Sequence, residues 1–513
     1  MPTLFTLGMV RARPHRLYDT VDGNLVAGIV HNVRCCGSLT SPTDQYWLRL
    51  DVATTYLRLP RVPVADLGPL YPLLVALVPL PVDRAMWVVN ALSGAAALVL
   101  LAMVVRRVTD SWAAGVAAQV VMVVGPTQHT VFGTVTWSNL VGTTVYDVTA
   151  VALLLGAVAA STSTGRVSRW AAALLFAAAC AVKPSFVVAL VVLAVWRVIE
   201  VMLRRGARSD TVPVVSAASA VLAWQFALVP LLFGSAPKAL AWHPIRDMGF
   251  FEALLGWVRL DGVVRASHAA GLVLGGLCLA VVAVLAVRRS TERSTALLAL
   301  VLVAGAASVV IGRFVFDAEV VLRDERQLLL VRVAAMALLV IGAHRVVCRW
   351  ATGPTSAGRI TLVVALLVAV SVGTRPWFVA LPDRGLPPLV ADELASHPDA
   401  VVMSNAPTTL YRQTAVSALT MLQPREPTTL RPVYVAGELG SLARSMRDDG
   451  RSLVLDVVYD DYYLAVVDPT WFACATLVDR RTAAGVEVSL VALTTCADQS
   501  TVVPVTGTPV DVP

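Results

Sequence analysis

A few carboxylates and one lysine stand out in a chain that otherwise carries little charge. Asp19 and Asp22 lie in a polar segment near the start of the sequence, and Asp66 precedes a proline-rich apolar segment. Lys183 lies between an apolar stretch and Pro184. A positioned carboxylate can accept a proton from a hydroxyl group, and an ammonium can stabilise an anionic phosphate. These residue types therefore suit a reaction in which a hydroxyl group attacks and a phosphate departs.

Each of these residues also has a structural explanation. Asp19 and Asp22 could be solvated or could cap a helix, and Asp22 with Gly23 could form a turn. Asp66 could equally cap a helix. Lys183 could extend along its helix to place the ammonium at the membrane interface. Its position at the turn of a short apolar helix favours a functional role, because charges inside a membrane are costly and usually functional.

The composition predicts an integral membrane protein. Of the 513 residues, 57% are hydrophobic and only 15% are charged, and the mean hydropathy is +0.73. A soluble domain carries about 25% charged residues, so the composition excludes a soluble enzyme and a disordered chain. The net charge of +7 comes almost wholly from arginine, because lysine occurs only at Lys183 and Lys238. The arginines lie between apolar stretches, which favours a topology signal over nucleic-acid binding.

Ten apolar stretches predict transmembrane helices, which need about 20 mostly apolar residues. They are 84–105, 112–130, 138–160, 170–182, 185–203, 211–233, 269–287, 295–313, 328–347 and 360–378. A shorter stretch at 67–80 is bracketed by prolines and predicts a re-entrant or interfacial helix. The predicted fold class is therefore mainly α, a polytopic transmembrane helical bundle of about ten spans with a small C-terminal α/β domain.

Arginines in alternate loops set the expected orientation. Five arginine-bearing loops, at 106–107, 166–169, 204–208, 288–293 and 345–359, fall on one side of the ten-span arrangement. By the positive-inside rule this side is the cytoplasm, so both chain ends lie outside. The arrangement requires 170–182 and 185–203 to form a hairpin that turns at Lys183. The alternative is one kinked helix over 170–196, which would invert every later loop.

A change of composition near residue 383 divides the chain into four predicted segments. Residues 1–66 form an extracytoplasmic acidic first loop, 67–382 the transmembrane bundle, 383–499 an extracytoplasmic α/β domain, and 500–513 a disordered tail. In the α/β domain, buried strands are expected at 400–403, 452–458 and 487–491, and a helix at 437–449. Ser404 and Asn405, followed by Pro407, predict a helix start with a capping side chain.

Two further expectations concern the outer segments. Cys474 and Cys496 are expected to form a disulfide, which the outer compartment permits, and two free buried thiols are the alternative.

Residues 1–60 contain no apolar stretch long enough for a signal peptide or a first span. This leads to the hypothesis that a first helix is encoded upstream of Met1. The alternative is translocation of a short N-terminal tail without a signal.

The order of several short motifs resembles the GT-C superfamily, the integral membrane glycosyltransferases that use polyprenyl-phosphate sugars. The acidic segment YDTVDGN at 18–24 and the segment GPLYPLLVAL at 68–77 are similar to the family's first outer loop and the segment that closes it. Further similarities are WSN at 137–139, ACAVKP at 179–184, DER at 324–326 and the appended domain that begins VMSN at 402–405. The chain departs from the family pattern in lacking the first helix and in having Asn139 where an acid is common.

The resemblance implies a sugar donor carried on a polyprenyl phosphate. It implies that Asp22, or Asp19 as the alternative, accepts the proton of the acceptor hydroxyl, while Lys183, with Arg326, holds the departing phosphate. The other expected substrate-binding residues are Asp66, Tyr71, Trp137 and Asn139. Inversion at the anomeric carbon is expected. No cofactor and no metal are expected, although a divalent ion stays an alternative because some members of the superfamily use one.

The implied setting is the outer face of the plasma membrane, with a multi-pass chain and an extracytoplasmic C-terminal domain. The expected partners are the lipid-linked sugar donor, membrane lipids and a cell-wall polysaccharide, lipoglycan or protein acceptor; nucleic acid is not expected. High arginine and alanine usage fits an actinobacterial-type genome. The competing functions are a transporter or flippase of polyprenyl-linked glycans, which should show paired broken helices in its two halves, and a non-catalytic membrane scaffold.

The predicted topology can be tested with single cysteines and a membrane-impermeant thiol reagent in intact cells. Cysteines placed beside Arg107, Arg205, Arg289 and Arg349 should be shielded, because these arginines are expected in the cytoplasm. Cysteines placed beside Trp242, Asp317 and Ser445 should react. Reaction beside Arg205 together with protection beside Trp242 would show that the hairpin at Lys183 is absent and that the later loops are inverted.

Overall fold

The computed structural model describes two compact units. The described residues are 21–43, 52–63, 68–124, 128–130, 133–135, 137, 141, 146–161, 165–203, 208–228, 231, 301, 329–371, 386–420, 436–459 and 475–493. One unit comprises Met1–Arg34 with Ala65–Asp383, and the other comprises Cys35–Val64 with Arg384–Pro513. In the described residues the first unit is mainly helical and the second is built on a sheet.

The helices described are α1 (Val21–Cys36), α2 (Val52–Arg58), α3 (Leu70–Ala76), α4 (Val82–Thr109), α5 (Trp112–Val124), α6 (Asp147–Ser161), α7 (Arg166–Val182), α8 (Val187–Met202), α9 (Arg208–Ala223), α10 (Leu329–Val347), α11 (Pro354–Ser371), α12 (Pro388–Ser396), α13 (Pro407–Thr414) and α14 (Ala436–Asp448). The strands are β1 (Thr40–Ser41), β2 (Val62–Pro63), β3 (Gln128–Thr130), β4 (Gly133–Val135), β5 (Val401–Ser404), β6 (Leu419–Thr420), β7 (Leu453–Tyr459), β8 (Ala475–Ala483) and β9 (Val486–Leu493). A 3-10 turn at Pro184–Phe186 joins α7 to α8.

Helix α4 has the dimensions of a membrane span. Its 28 residues extend roughly 42 Å at 1.5 Å per residue, and its most apolar window has a mean hydropathy of 2.4. Within the described residues it is the one helix both long and apolar enough to cross a membrane; shorter apolar helices are Trp112–Val123, Asp147–Ser161, Val333–Val347 and Thr355–Leu367. The count of ten spans stays a prediction, since 269–287 and all of 295–313 except Val301 lie outside the described residues.

Small residues let the helices of the first unit pack closely. Helix α4 contacts α5 and α6, α6 contacts α7, and α11 lies on α5. A Cβ added at Gly115 would lie 2.8 Å from the carbonyl oxygen of Ala102, and one added at Gly358 would overlap Ser111. Polar side chains within the bundle bond to neighbouring helices, as Gln119 Nε2 does to the Leu98 carbonyl at 3.0 Å. Close backbone approach through small residues is typical of helices packed in lipid.

Four of the five arginine-bearing loops meet at one end of this unit. The contacts that join them are Arg107 Nη1 to the Ala159 carbonyl at 2.6 Å, Arg169 Nε to Asp210 Oδ1 at 2.8 Å, and the packing of Gly358 on Ser111. Arg106 in turn lies over the Trp112 ring, 4.0 Å from its centroid. The fifth loop, 288–293, lies outside the described residues. The common location agrees with the predicted pattern of alternate loops, while the side of the membrane on which this end lies stays a prediction.

Residues 166–202 form the hairpin that the sequence predicts. Helix α7 ends at Val182, and Lys183 takes an extended conformation with φ −128° and ψ 99°. The end of α8 returns to the start of α9, where Thr211 Oγ1 donates to the Arg197 carbonyl at 3.3 Å. Because Arg169 at the start of α7 pairs with Asp210 at the start of α9, the two outer ends of the hairpin share one end of the bundle. A single kinked helix would separate these residues, so the hairpin is confirmed.

The second unit contains a mixed five-stranded sheet in the order β6-β5-β7-β9-β8. Strand β5 is parallel to β6 and β7, whereas β9 is antiparallel to β7 and β8. The predicted strands at 400–403, 452–458 and 487–491 correspond to β5, β7 and β9, and the predicted helix at 437–449 corresponds to α14. One hydrophobic cluster joins Met403, Val454 and Val491 to Leu442 and Met446 of α14. A small α/β arrangement is therefore confirmed; its extracytoplasmic location stays a prediction.

Residues 35–64 belong to the same unit as the C-terminal sheet. The composition instead predicts a single first segment over residues 1–66. Helix α2 lies on α14, and Tyr56 and Leu59 pack against the cluster that contains Leu442. Burial raises the pKa of Tyr56 to about 12, and the hydrogen bond to Asp449 contributes in the same direction. The sequence did not predict this grouping, because Tyr56 gains its buried neighbours only through packing against distant residues.

The helix start predicted at Ser404-Asn405 is right in position and wrong in its capping group. Helix α13 begins at Pro407, and its N-cap Ala406 supplies no side-chain bond. The Asn405 amide instead bonds both backbone groups of Tyr459, donating from Nδ2 to the carbonyl and accepting at Oδ1 from the amide, each at 2.9 Å. Asn405 therefore ties the end of β5 to the end of β7.

The predicted disulfide of Cys474 and Cys496 lies outside the described residues.

Candidate functional site

A buried ion pair lies at the end of the helical unit opposite the arginine-bearing loops. Helices α6 and α7 are consecutive in the chain and pack side by side, so the start of α6 meets the end of α7. Asp147 is the first residue of α6, and Lys183 caps the end of α7. The Lys183 ammonium bonds Asp147 Oδ1, and the two residues are 3% and 0% exposed. The structure thus places Lys183 inside the bundle, which argues against an ammonium extended to the interface.

Both partners occupy helix ends that favour their charge. The start of a helix carries a partial positive charge and its end a partial negative charge, so a carboxylate at the start and an ammonium at the end are stabilised. Pro184 follows Lys183 and disfavours the helical conformation for the lysine, which agrees with its extended backbone. The sequence Lys-Pro thereby ends α7 at the point where the ammonium can reach α6.

Aromatic side chains continue the site away from the ion pair. The Lys183 ammonium lies 5.9 Å from the centroid of the Tyr146 ring, a distance at which a cation is attracted by the ring face. Tyr71 meets Tyr146 edge-on, with 6.5 Å between ring centroids. The Tyr71 hydroxyl donates to Asn90 Oδ1 at 2.9 Å, and both of these side chains are fully buried. Two of the predicted residues, Lys183 and Tyr71, therefore belong to one cluster.

The proline-rich segment is pressed directly against the lysine-bearing turn. A Cβ added at Gly68 would overlap the carbonyl groups of Ala181 and Val182, so only glycine fits there. This contact brings α3, and Tyr71 within it, to the last turn of α7. It is the physical reason that the segments 68–77 and 179–184, which are more than 100 residues apart in sequence, build one site.

Arg34 near the end of α1 holds the far end of this short helix. Its guanidinium donates to the carbonyl groups of Val75 at 3.2 Å, Ala76 at 3.3 Å, Val78 at 2.6 Å and Leu80 at 2.8 Å. The last carbonyl groups of a helix have no partner within it, and the planar fork of arginine suits several acceptors at once. Arg34 thus fixes α3 from the side opposite Gly68.

The other predicted site residues are only partly described. Asp22 lies in the first turn of α1, and only the backbone of this residue is described. Trp137 is fully buried, and its indole N–H finds no acceptor in the described part of the chain. Asp19, Asp66, Asn139 and Arg326 lie outside the described residues, and their predicted roles stay predictions. No group of three His, Cys, Asp or Glu side chains is arranged as metal ligands among the described residues.

Sequence reasoning missed Asp147, Tyr146, Asn90 and Arg34. The signal for Asp147 was present, since it is the one charged residue in the apolar stretch 138–160. The argument that an intramembrane charge is functional, when applied to Lys183, selects Asp147 equally. No comparable signal exists for Asn90 or Arg34, whose partners are 19 or more residues away.

Comparison with known proteins finds distant structural likenesses, two of which follow. Neither a protein-family model nor a curated protein matches the sequence. ArnT from Cupriavidus metallidurans, solved bound to undecaprenyl phosphate, is 14% identical with a TM-score of 0.42, over 95% of this chain and 97% of ArnT. The Archaeoglobus fulgidus oligosaccharyltransferase, tethered to an acceptor peptide with an NVT sequon, is 11% identical with a TM-score of 0.42, over 88% and 68%. Likenesses of this size carry no argument about chemistry.

Removal of the Arg34 guanidinium should loosen the end of α3. In Arg34→Ala we expect the free energy for opening the amides of Leu77 and Val78 to fall by about 1.5–3 kcal/mol, the range for hydrogen bonds to a charged group. Amide hydrogen exchange of the purified protein measures this quantity. Arg34→Lys should recover part of it, because an ammonium keeps the charge and loses the fork.

The matched control for this prediction is Arg84→Ala, because Arg84 is an exposed arginine near the start of α4. Exchange at Leu77 and Val78 should keep its wild-type rate in this variant. Equal effects of Arg34→Ala and Arg84→Ala would show that the four carbonyl contacts do not hold the end of α3.

Proposed function

We propose that this chain is an integral membrane glycosyltransferase that transfers a sugar from a polyprenyl-phosphate donor to a cell-envelope acceptor. The observation that carries the proposal is the buried Lys183 ammonium, located at the end of the helical unit opposite the arginine-bearing loops. A buried charge in an apolar bundle is costly and marks a functional site. The motif order, which resembles the GT-C superfamily, supplies the reaction class.

The charge distribution of the helical unit orients the proposed site. With the arginine-bearing end in the cytoplasm, the cluster of Lys183, Tyr146 and Tyr71 lies towards the outer face of the plasma membrane. A lipid can present the donor there, because its polyprenyl chain lies in the bilayer while its phosphate reaches the helix ends. The C-terminal α/β unit is then extracytoplasmic, where it can meet a polysaccharide, lipoglycan or protein acceptor.

In the proposed reaction an acceptor hydroxyl oxygen attacks the anomeric carbon while the bond from that carbon to the phosphate oxygen breaks. Asp22, with Asp19 as the alternative, takes the hydroxyl proton. The electron pair of the broken bond leaves on the polyprenyl phosphate, whose charge the Lys183 ammonium stabilises together with Arg326. Attack from the face opposite the leaving phosphate inverts the anomeric carbon. Tyr71, Trp137, Asn139 and Asp66 complete the proposed substrate site.

The contact of Lys183 with phosphate can be tested without leaving a buried carboxylate unpaired. We expect Lys183→Met in an Asp147→Asn background to fold, because both charges of the pair are removed together. Donor binding should weaken by about 1.5–3 kcal/mol relative to Asp147→Asn alone, the range for a charge-assisted hydrogen bond. The measurement is donor affinity in detergent or nanodiscs. Equal affinity of the double and single variants would assign Lys183 a structural role.

The transfer reaction itself is tested by incubating membranes with a radiolabelled polyprenyl-phosphate sugar. Wild-type protein should move label to an acceptor, and Asp22→Asn should bind donor normally while transfer falls by about two to four orders of magnitude, the usual contribution of a general base. Asp19→Asn should have a smaller effect. Wild-type transfer by Asp22→Asn, Asp19→Asn and Asp66→Asn would remove these acids from the chemistry. Label that crosses the bilayer without transfer would instead establish a transporter.

A further inference from the structure

We propose that Asp147 is an internal substitute for the lipid phosphate: its carboxylate holds Lys183 in the unliganded protein and gives up the ammonium to the polyprenyl phosphate monoester that sugar transfer releases. The inference deepens the proposed function and rests on it. It adds that Lys183 exchanges its ionic partner: the phosphate of the ligand takes the place of the Asp147 carboxylate.

The position of Asp147 is one that a phosphate would also favour. It is the first residue of α6, where the unbonded amides and the helix dipole attract anions. The same position lies within bonding reach of the Lys183 ammonium and places the Tyr146 ring beside that ammonium. A phosphate at this point would meet a helix start and an ammonium together, which are the two groups that Asp147 now uses.

One oxygen of the Asp147 carboxylate lacks a hydrogen-bond donor among the described residues, whereas the oxygens of a buried structural ion pair usually have donors. Asp147 is fully buried, yet its Oδ2 accepts no hydrogen bond from any described residue. Buried polar atoms almost always have partners, and an exception calls for an explanation. A buried ion pair stabilises a fold only when additional hydrogen bonds satisfy its remaining atoms. The pair of Asp147 and Lys183 is thus poorly suited to stability and well suited to exchange.

Charge balance sets the direction of the exchange. The bound pair is neutral, whereas a phosphate monoester carries between one and two negative charges, so Asp147 repels the ligand that Lys183 attracts. Among the described residues the ammonium contacts the Asp147 carboxylate and the Tyr146 ring, and Tyr71 meets that ring edge-on. Asp147 is the anion among these groups. Replacing its carboxylate with an amide removes this repulsion.

The first test measures binding of farnesyl phosphate, a phosphate monoester on a short isoprenoid, to the purified full-length protein. We expect Asp147→Asn to bind it roughly tenfold more tightly than the wild type, because the variant lacks the carboxylate that repels the phosphate and competes with it for the ammonium. Farnesol should bind both proteins equally, since it lacks the phosphate. Inorganic phosphate measures the head group alone, and the same tightening with it would show that the exchange needs no lipid chain.

A matched control is a side-chain hydrogen bond of α6 that does not involve the ion pair. Ser93 on α4 and Thr149 on α6 share a hydrogen bond of 2.9 Å, and Ser93→Ala should keep the wild-type affinity for farnesyl phosphate. Equal or weaker binding by Asp147→Asn, with wild-type protein binding normally, would show that Asp147 is structural and would overturn the exchange. Absence of binding by the wild type would instead contradict the proposed function.

A second measurement needs no change at Asp147 and covers the case in which Asp147→Asn fails to fold. The chain contains only two lysines, Lys183 and Lys238, so labelling lysine with ¹⁵N at Nζ gives two signals, which Lys238→Arg assigns. On addition of farnesyl phosphate the Lys183 signal should shift and gain a dipolar contact with ³¹P. An unshifted Lys183 signal in protein saturated with farnesyl phosphate would overturn the exchange.

Discussion

The helical unit is organised around one electrostatic constraint, the placement of a lysine ammonium inside an apolar bundle. Moving a charge out of water costs several kcal/mol even after relaxation, so the ammonium of Lys183 needs a nearby anion. Asp147 supplies it, and the two helix dipoles support each charge at the end where it lies. The pair can form because α6 and α7 pack side by side, so that the start of one helix meets the end of the other.

A second constraint acts on the backbone of the proline-rich segment. A helix as short as α3 leaves much of its backbone without internal partners, and in an apolar setting each unsatisfied group is costly. Arg34 donates to four carbonyl groups at its end, while Gly68 allows its start to lie on the last turn of α7. The two contacts together fix Tyr71 beside Tyr146. The aromatic side of the site therefore depends on an arginine that lies outside it.

The two ends of the helical unit treat positive charge differently. At one end several arginines bond to helix carbonyls, to Asp210 or to an aromatic ring, and many of them stay partly exposed. At the other end a single lysine is fully enclosed and paired. Arginine with its fixed fork suits the first role, whereas a compact ammonium suits a site where the partner changes. This asymmetry is the feature that connects the packing of the bundle with the proposed phosphate chemistry.

The sequence by itself determined the features that depend on neighbouring residues. Lys183-Pro184 ended α7 and produced the hairpin, short apolar runs predicted the buried strands β5, β7 and β9, and Pro407 marked the start of α13. Only the tertiary structure decided which distant groups meet: Asp147 with Lys183, Arg34 with the end of α3, and residues 35–64 with the C-terminal sheet. Backbone conformation is set by local sterics and hydrogen bonding. The partner of a buried charge, a helix-end carbonyl or an aromatic ring is instead set by packing between distant parts of the chain. No local sequence pattern encodes that packing.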